Sequence, residues 1–230
     1  MQGSRYVPSM YQGEFYTAAA KYWDRIPPTL DGMLGGFGFI SQTDIKGSTL
    51  FLKSLFQLEN PPSRTFALDC GAGIGRITKN LLLKFFKHID LVEQNSKFLE
   101  EAKISLENCS SKIGQYYPIG LQNFCPMVNK YDLIWCQWVL GHLKDDDLIE
   151  FFRKCSLGLK ANGVLVVKEN ITTSNNMEID KEDSSVTRPM KSLRALFERA
   201  DLICIKEQQQ TKFPPGLYPV YMFALRPRNQ

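Results

Sequence analysis

The ten residues Ala67-Leu68-Asp69-Cys70-Gly71-Ala72-Gly73-Ile74-Gly75-Arg76 constrain the fold more than any other part of this chain. They read as a buried strand that runs into a Gly-x-Gly-x-Gly turn and then a helix. Glycine there permits a sharp turn and a close approach of backbone to ligand. The helix that follows, Ile77-Thr78-Lys79-Asn80-Leu81, aims its unpaired N–H groups at the same place. About twenty residues on, a second apolar strand, Ile89-Asp90-Leu91-Val92, ends in Glu93, where an acid can accept both hydroxyls of a ribose. Strand, glycine turn, helix, strand and acid describe a nucleoside-cofactor site. The alternative reading is a tight strand-to-helix turn with no ligand.

The turn also discriminates among cofactors. A dinucleotide fingerprint, Gly-x-Gly-x-x-Gly, sets a pyrophosphate on the helix N-terminus. Here the third glycine comes one residue early and Asp69 precedes the turn. An anion at that point repels a pyrophosphate and suits the amino group and sulfonium of S-adenosylmethionine. The Asp-x-Gly-x-Gly-x-Gly pattern resembles the first motif of the class I, Rossmann-like methyltransferases.

Composition narrows the class without choosing the function. A chain of 230 residues, 43% hydrophobic and 23% charged, suits one large α/β domain. No apolar run approaches the roughly 20 residues of a membrane span, and Met1–Met10 holds no apolar leader, so no membrane partner is expected. Cysteines 70, 109, 125, 136, 155 and 204 lack Cys-x-x-Cys spacing. They read as reduced, mostly core residues of an intracellular protein, with no metal site. A net charge of +4, dispersed along the chain, gives no reason to expect direct nucleic-acid binding.

The chain divides into a flexible tail (1–10), an N-terminal helical extension with a Gly-rich lid loop (11–60) and a cofactor-binding core (61–230). Helices are expected over 12–23 and 44–58, the second with Ser41 or Thr43 as cap. Ile26-Pro27-Pro28-Thr29 breaks the first, and residues 31–38 form a flexible apolar loop with four glycines. From Thr65 on, strands at 65–69, 89–93, 116–120, 131–136, 163–168, 202–207 and 219–225 alternate with helices near 76–86, 96–107, 145–158 and 189–200. The fold class is α/β, a Rossmann-like seven-stranded sheet, mostly parallel with an antiparallel last strand. Ligands in such sheets bind beyond the carboxyl ends of the strands.

Several residues at those ends carry chemistry, each with a plainer reading beside it. Trp138 reads as a flat wall against a substrate, whereas Trp135 on the strand itself reads as core. His142 titrates near pH 6.5 and can take a proton from a nucleophile, or it is structural. His88, before the second strand, reads as a solvated loop residue. Asn170 offers a donor and an acceptor to a polar substrate, or it merely turns the chain. The run Met177–Ser185, with four acids and one base, is a solvated loop or a negative rim that attracts a cation. Tyr22-Trp23 with the glycine loop is a lid or a simple cover for the sheet.

Together these segments resemble the protein α-N-terminal methyltransferases, over about residues 14–226. The carriers are Tyr22-Trp23, Ile26-Pro27-Pro28-Thr29, Asp31-Gly32-Met33-Leu34-Gly35-Gly36, the Asp69–Arg76 turn, Gln137-Trp138 with Gly141-His142-Leu143, and Asp183-Ser184-Ser185-Val186. The resemblance implies transfer of methyl groups from S-adenosylmethionine, leaving S-adenosylhomocysteine, to the free α-amine of proteins that begin X-Pro-Lys or X-Pro-Arg. It implies that Gly71, Gly73, Arg76, Glu93, Leu121, Gln122 and Gln137 hold the cofactor while Trp23 and Met33 close over it. It implies that Trp138 flanks the substrate proline, with Leu34, Ile40 and Leu217 lining that pocket and Tyr218 and Tyr22 close by. Asn170 is implied to hold the substrate backbone. Asp180 and Asp183 are implied to face its third residue, with Ser185 nearby. His142 and Asp183 match the family's proposed bases. A nuclear and cytoplasmic location follows from the resemblance alone. Glu93 stands where some members carry Asp, and Phe37 where others carry Tyr.

The chemistry suits such a substrate. An α-amine has a pKa of about 7.7–8.0 against about 10.4 for lysine, so a modest base suffices near neutral pH. The alternatives are a small-molecule amine methyltransferase of the same fold and a catalytically silent adaptor.

Overall fold

The computed structural model describes residues 14–228, so the tail expected at 1–10 lies outside the described residues. Helices α1 (Glu14–Arg25), α2 (Leu30–Met33) and α3 (Ser41–Leu55) precede strand β1 (Phe66–Cys70). Then follow α4 (Arg76–Asn80), β2 (His88–Val92), α5 (Ser96–Leu106), β3 (Ile113–Tyr117), β4 (Tyr131–Gln137), α6 (Asp145–Gly158) and β5 (Leu159–Asn170). The chain ends with β6 (Glu178–Asp180), β7 (Ser185–Thr187), α7 (Met190–Arg199), β8 (Leu202–Gln209) and β9 (Val220–Pro227). Among the described residues the main sheet has seven strands in the order β3-β2-β1-β4-β5-β9-β8, and β9 runs antiparallel to both neighbours. Strand order reverses between β1 and β4, which sets the ligand crevice above their carboxyl ends.

Period-two alternation builds a core on each face. Leu68, Cys70, Ile134, Cys136, Leu165, Val167, Phe223 and Leu225 pack with Phe151 and Phe152 of α6 and Phe197 of α7. The alternate residues Ala67, Leu133, Trp135, Val164, Val166, Met222 and Ala224 pack with Phe51, Leu52 and Leu55 of α3 and with Leu81, Ala102 and Leu106. Trp135 is a core residue, as its place on the strand implies, and α3 forms part of a full layer on the sheet.

Several boundaries differ from the sequence reading. The third strand runs over 113–117, not 116–120. Pro118 has no N–H to extend the ladder, and Gly114 leaves room for the Asp90 carboxylate, which would lie 2.2 Å from a Cβ there. Helix α4 stops at Asn80 and continues as a 3-10 turn over Leu82–Lys84, because Leu81 departs from helical backbone. The 31–38 loop contains α2, capped by the Thr29 hydroxyl, which accepts from Gly32 N at 3.1 Å. Helix α3 starts at Ser41 with no side-chain cap. His88 is exposed but opens β2, its ring stacked on Phe66 with centroids 5.0 Å apart. The acidic run is a hairpin, β6 against β7, and not an irregular loop. Cys70, Cys136 and Cys155 are buried, whereas Cys125 and Cys204 are exposed.

Polar chemistry, as well as apolar packing, fixes α3 to the sheet. Asp44 of α3 is fully buried and receives Arg76 Nη1 at 2.7 Å, Lys168 Nζ at 2.5 Å and Gln137 Nε2 at 2.9 Å. Lys168, also fully buried, donates further to Ser48 Oγ at 2.9 Å and Gln210 Oε1 at 2.7 Å. Burial pushes the Asp44 carboxyl up, but Lys168 and Arg76 more than reverse this and hold it below the usual carboxylate range. Removal of one partner from such a cluster strands the other charges. Asp44→Ala should therefore lower the unfolding free energy by about 3–5 kcal/mol in urea titrations. An unchanged midpoint would show that Arg76 and Lys168 find other partners.

Candidate active site

The glycine turn begins where β1 ends. Gly71 and Ala72 donate their N–H groups to Val92 O at 2.9 and 3.0 Å, so the turn is tied to the end of β2. Gly71 has φ +69°, and a Cβ there would lie 2.4 Å from Val139 Cγ2. Gly73 has φ +53°, and a Cβ there would lie 2.8 Å from Met33 Sδ. Both positions disfavour a side chain on conformation, and Gly71 also on space, since the stiff Val139 side chain cannot give way as Met33 can. Glu93 fastens the other side: its Oε2 accepts from Gly73 N at 3.1 Å and its Oε1 from Asn95 N at 2.8 Å. Burial raises its pKa and these backbone donors oppose the rise. The carboxylate has about four lone-pair sites, so it keeps capacity for a further donor.

Above this turn lies a first cavity. All nine residues expected to hold or cover a cofactor line it: Gly71, Gly73, Arg76, Glu93, Leu121, Gln122, Gln137, Trp23 and Met33. Gln137 takes its place with its amide already engaged, donating to Asp44 and accepting from Trp135 Nε1 at 3.1 Å. Arg76, Lys168 and Asp44 together carry one excess positive charge (two cations, one anion), and Arg76 faces the cavity. That suits the carboxylate of an amino-acid moiety, while Glu93 suits a ribose.

Asp69 does not face this cavity. It is buried, and its Oδ2 accepts from Thr78 N at 3.0 Å and Thr78 Oγ1 at 2.6 Å. The charge expected to meet a cationic ligand instead fastens α4 to β1. Burial pushes its carboxyl up from 3.8 to about 6, against the Thr78 bonds and Arg76, which pull it down.

A second cavity opens beside the first, and Trp23, Met33, Leu34, Trp138 and His142 line both. Ile40, Asn170, Asp183, Ser185, Leu217 and Tyr218 line the second. Asp180 and Tyr22 do not line it. Tyr22 stands at the rim, where burial raises its pKa and Asp183, Glu182 and Asp180 raise it further. Trp138 adopts φ +52°, its ring is tilted against Phe213 with centroids 6.4 Å apart, and the Arg76 guanidinium lies 5.6 Å from its ring centre.

Trp23 Nε1 donates to His142 Nε2 at 3.0 Å. That donation requires a bare Nε2, so neutral His142 carries its proton on Nδ1. Burial holds His142 below the usual imidazole range, while Asp183, the Ser184 backbone and Asp180 oppose the shift. Three buried side-chain atoms here have no hydrogen-bond partner among the described residues: Trp138 Nε1, His142 Nδ1 and Asp183 Oδ1. Buried polar groups are costly to leave unmade, and two donors with one acceptor at one cavity are the pattern of a polar ligand site.

Comparison with known proteins agrees with this geometry. Residues 11–226 match the family described as AdoMet dependent proline di-methyltransferase. The chain belongs to this family. It is 46% identical over 217 residues to the N-terminal Xaa-Pro-Lys N-methyltransferase 1 of Xenopus tropicalis, covering 94% of this chain and 96% of that one. The human N-terminal Xaa-Pro-Lys N-methyltransferase 1 is 45% identical over 216 residues, covering 93% of this chain and 96% of that one. A solved S-adenosylmethionine-dependent methyltransferase from Leishmania major superposes with a TM-score of 0.88 at 38% identity, covering 96% of this chain and 87% of that one. The protein is an S-adenosylmethionine-dependent methyltransferase with the expected fold.

The sequence reading did not single out Asp44, Lys168, Arg188 or Phe213 as parts of the site, and it placed Glu169 at a strand end beside Asn170 without giving it a role. Lys168 carries a signal, since it directly follows the buried run Val164–Val167. Asp44 carries none, because an acid in the first turn of a helix is ordinary.

The Asp69 geometry makes a prediction about pH. A carboxyl whose folded pKa is raised contributes stability that is full below its unfolded pKa and is lost as pH rises through the folded value, here about 6. Asp69→Asn keeps an acceptor for Thr78 and removes the titration. Its thermal midpoint should gain on the parent chain between pH 4.5 and 7.5. Midpoints of parent and variant that move in parallel over that range would mean that burial does not hold the Asp69 carboxyl above its usual range.

Proposed function

We propose that this enzyme methylates the free α-amine of proteins whose N-terminus reads Xaa-Pro-Lys or Xaa-Pro-Arg. The observation that carries this reading is the set of unpartnered buried atoms, Asp183 Oδ1, His142 Nδ1 and Trp138 Nε1, in a cavity whose rim bears the acidic hairpin. The names of the relatives from frog and human support the same substrate.

In this reading Gly71, Gly73, Arg76, Glu93, Leu121, Gln122 and Gln137 hold S-adenosylmethionine, and Trp23 and Met33 separate it from water. When bound, the cofactor supplies an electrophilic methyl group and leaves as S-adenosylhomocysteine. Trp138 takes the proline ring in a pocket shared with Leu34, Ile40 and Leu217, and Tyr218 and Ser185 border it. Asn170 holds the backbone near the terminus. Asp180, exposed at the rim beside Tyr22, attracts the basic third residue through solvent.

Asp183 is the group whose free lone pair can take a proton from the amine. His142, with Nε2 occupied by Trp23, offers its Nδ1 donor to the substrate. It becomes an acceptor itself only if Trp23 releases it. Near neutral pH on the order of a tenth of α-amines are already neutral, so alignment of the amine contributes more than the strength of the base.

The direct test is transfer of labelled methyl to two Ser-Pro-Lys peptides, one free and one acetylated at its N-terminus. Label on the free peptide alone is expected, whereas equal label on both would move the acceptor to a side chain. Asp183→Asn should lower kcat by about 10²–10⁴-fold, the range for loss of a general base. Asp180→Asn should mainly raise KM for the Lys peptide, and unchanged kinetics in both variants would remove these roles. Trp138→Ala should abolish the preference for proline at position two with cofactor affinity retained. Collapse of cofactor binding instead would place Trp138 in the other pocket.

A further inference from the structure

The loop after β4 carries both Trp138 and His142, yet little of it is regular structure. Trp138 has left-handed backbone at φ +52°, which a bulky residue keeps only where its surroundings over-determine it. The 3-10 turn over Leu140–His142 is a single turn. Something outside the loop must hold it.

Two oppositely charged side chains, Arg188 buried and Glu169 partly buried at the wall of the second cavity, grip the loop backbone. From the end of β5, Glu169 Oε1 accepts from Val139 N at 3.0 Å and Leu140 N at 2.8 Å. These are the N–H groups next to Trp138 and at the start of the turn that bears His142. On the other side, Arg188 Nη1 donates to Leu140 O at 3.0 Å and Nη2 to Leu143 O at 2.6 Å. Arg188 is 5% exposed, and Asp145 at the start of α6 fixes its orientation, accepting from Nε at 2.9 Å and Nη2 at 2.8 Å.

Arg188 directly follows β7, and its backbone returns to the end of β5. Its carbonyl accepts from Thr172 N at 3.2 Å, and it bridges Ile171. Gly141 lies close to the same strand, since a Cβ there would be 3.1 Å from Val186 O. One pair of side chains thus sets the register of three pieces: the loop with Trp138 and His142, the end of β5 with Asn170, and the hairpin with Asp183. Burial pushes the Glu169 carboxyl up to about 7, against Leu140 N, Val139 N and Arg188, which pull it down.

We infer that Glu169 and Arg188 are positioning residues, a two-sided clamp on the backbone of residues 139–143 that aligns Trp138, His142 and Asp183 for the acceptor amine. This rests on the function proposed above. Glu169 acts through backbone N–H groups and Arg188 through carbonyls, so each role depends on hydrogen-bond type and not on charge alone. Glutamine at 169 keeps an acceptor for both N–H groups, and alanine does not. Lysine at 188 keeps the charge but loses the planar fork that reaches two carbonyls and a carboxylate together.

The test uses the whole chain and three readouts: amide hydrogen exchange at Val139 and Leu140, calorimetric affinity for S-adenosylhomocysteine, and kcat/KM for a free Ser-Pro-Lys peptide. Glu169→Ala should speed exchange at both amides by about tenfold or more, as loss of a local hydrogen bond does. It should lower kcat/KM by about ten- to a hundredfold through misalignment, while S-adenosylhomocysteine affinity stays within about threefold. Glu169→Gln should recover most of the protection and of kcat/KM. Arg188→Lys should lower kcat/KM without recovery. Unchanged exchange in Glu169→Ala would overturn the clamp, and fast exchange with unchanged kcat/KM would overturn its positioning role. Equal losses of peptide turnover and cofactor affinity in both Glu169 variants would reduce the pair to general structure. A parent enzyme inactive on the peptide would overturn the substrate reading, and the exchange arm would still decide the clamp.

Discussion

One buried carboxylate, Asp44, connects most of what this protein needs. It lies on α3, outside the alternating strands and helices of the sheet, yet it binds Arg76 at the start of α4, Gln137 at the end of β4 and Lys168 on β5. Two cations share one anion in a site almost without water. That arrangement is stable only when every partner is in place, since each charge lost leaves another uncompensated. The same cluster presents Arg76 to the cofactor cavity with one net positive charge behind it. Attachment of α3 and the charge presented to the first cavity are therefore one interaction.

The second cavity works by the opposite rule. Around the cofactor the polar groups are already paired, Glu93 with two backbone N–H groups and Gln137 with Asp44 and Trp135. Beside Trp138 they are not: an indole N–H, an imidazole nitrogen and a carboxylate oxygen stand buried with no partner among the described residues. Paired groups give a rigid surface for a ligand that must be held in one pose. Unpaired groups store a demand that a polar substrate can meet. The Trp23–His142 hydrogen bond joins the two regimes, because Trp23 lines both cavities and decides which nitrogen of His142 bears the proton.

The strands and the glycine turn were legible in the sequence because their causes are local. Alternate residues of β1, β4 and β5 enter the two cores with a period of two, and left-handed backbone at Gly71 and Gly73 favours glycine at those positions. Topology pointed to the strand-end positions Gly71, Gly73, Arg76, Glu93, Leu121, Gln122 and Gln137, while their cofactor roles, and those of Trp23 and Met33 on α1 and α2, came from the family resemblance. Asp69 misled because its neighbours in sequence say nothing about Thr78 Oγ1 reaching back to it. Asp44, Arg188 and the role of Glu169 escaped for a related reason. Their partners lie dozens of residues away, and a buried ion pair has no periodic signature. The third strand was displaced by three residues because its apolar residues, Ile113, Tyr116, Tyr117 and Ile119, permit more than one register until Pro118 and the Asp90–Gly114 contact choose.

In the proposed function the unpartnered atoms beside Trp138 receive a free Xaa-Pro-Lys terminus. The most direct measurement is a crystal structure of the enzyme with S-adenosylhomocysteine and a Ser-Pro-Lys peptide. The account predicts the peptide amine within about 3.2 Å of Asp183 Oδ1, the proline ring against Trp138 and the lysine directed at the acidic hairpin. A peptide bound elsewhere, or bound with its amine turned away from Asp183, would contradict it.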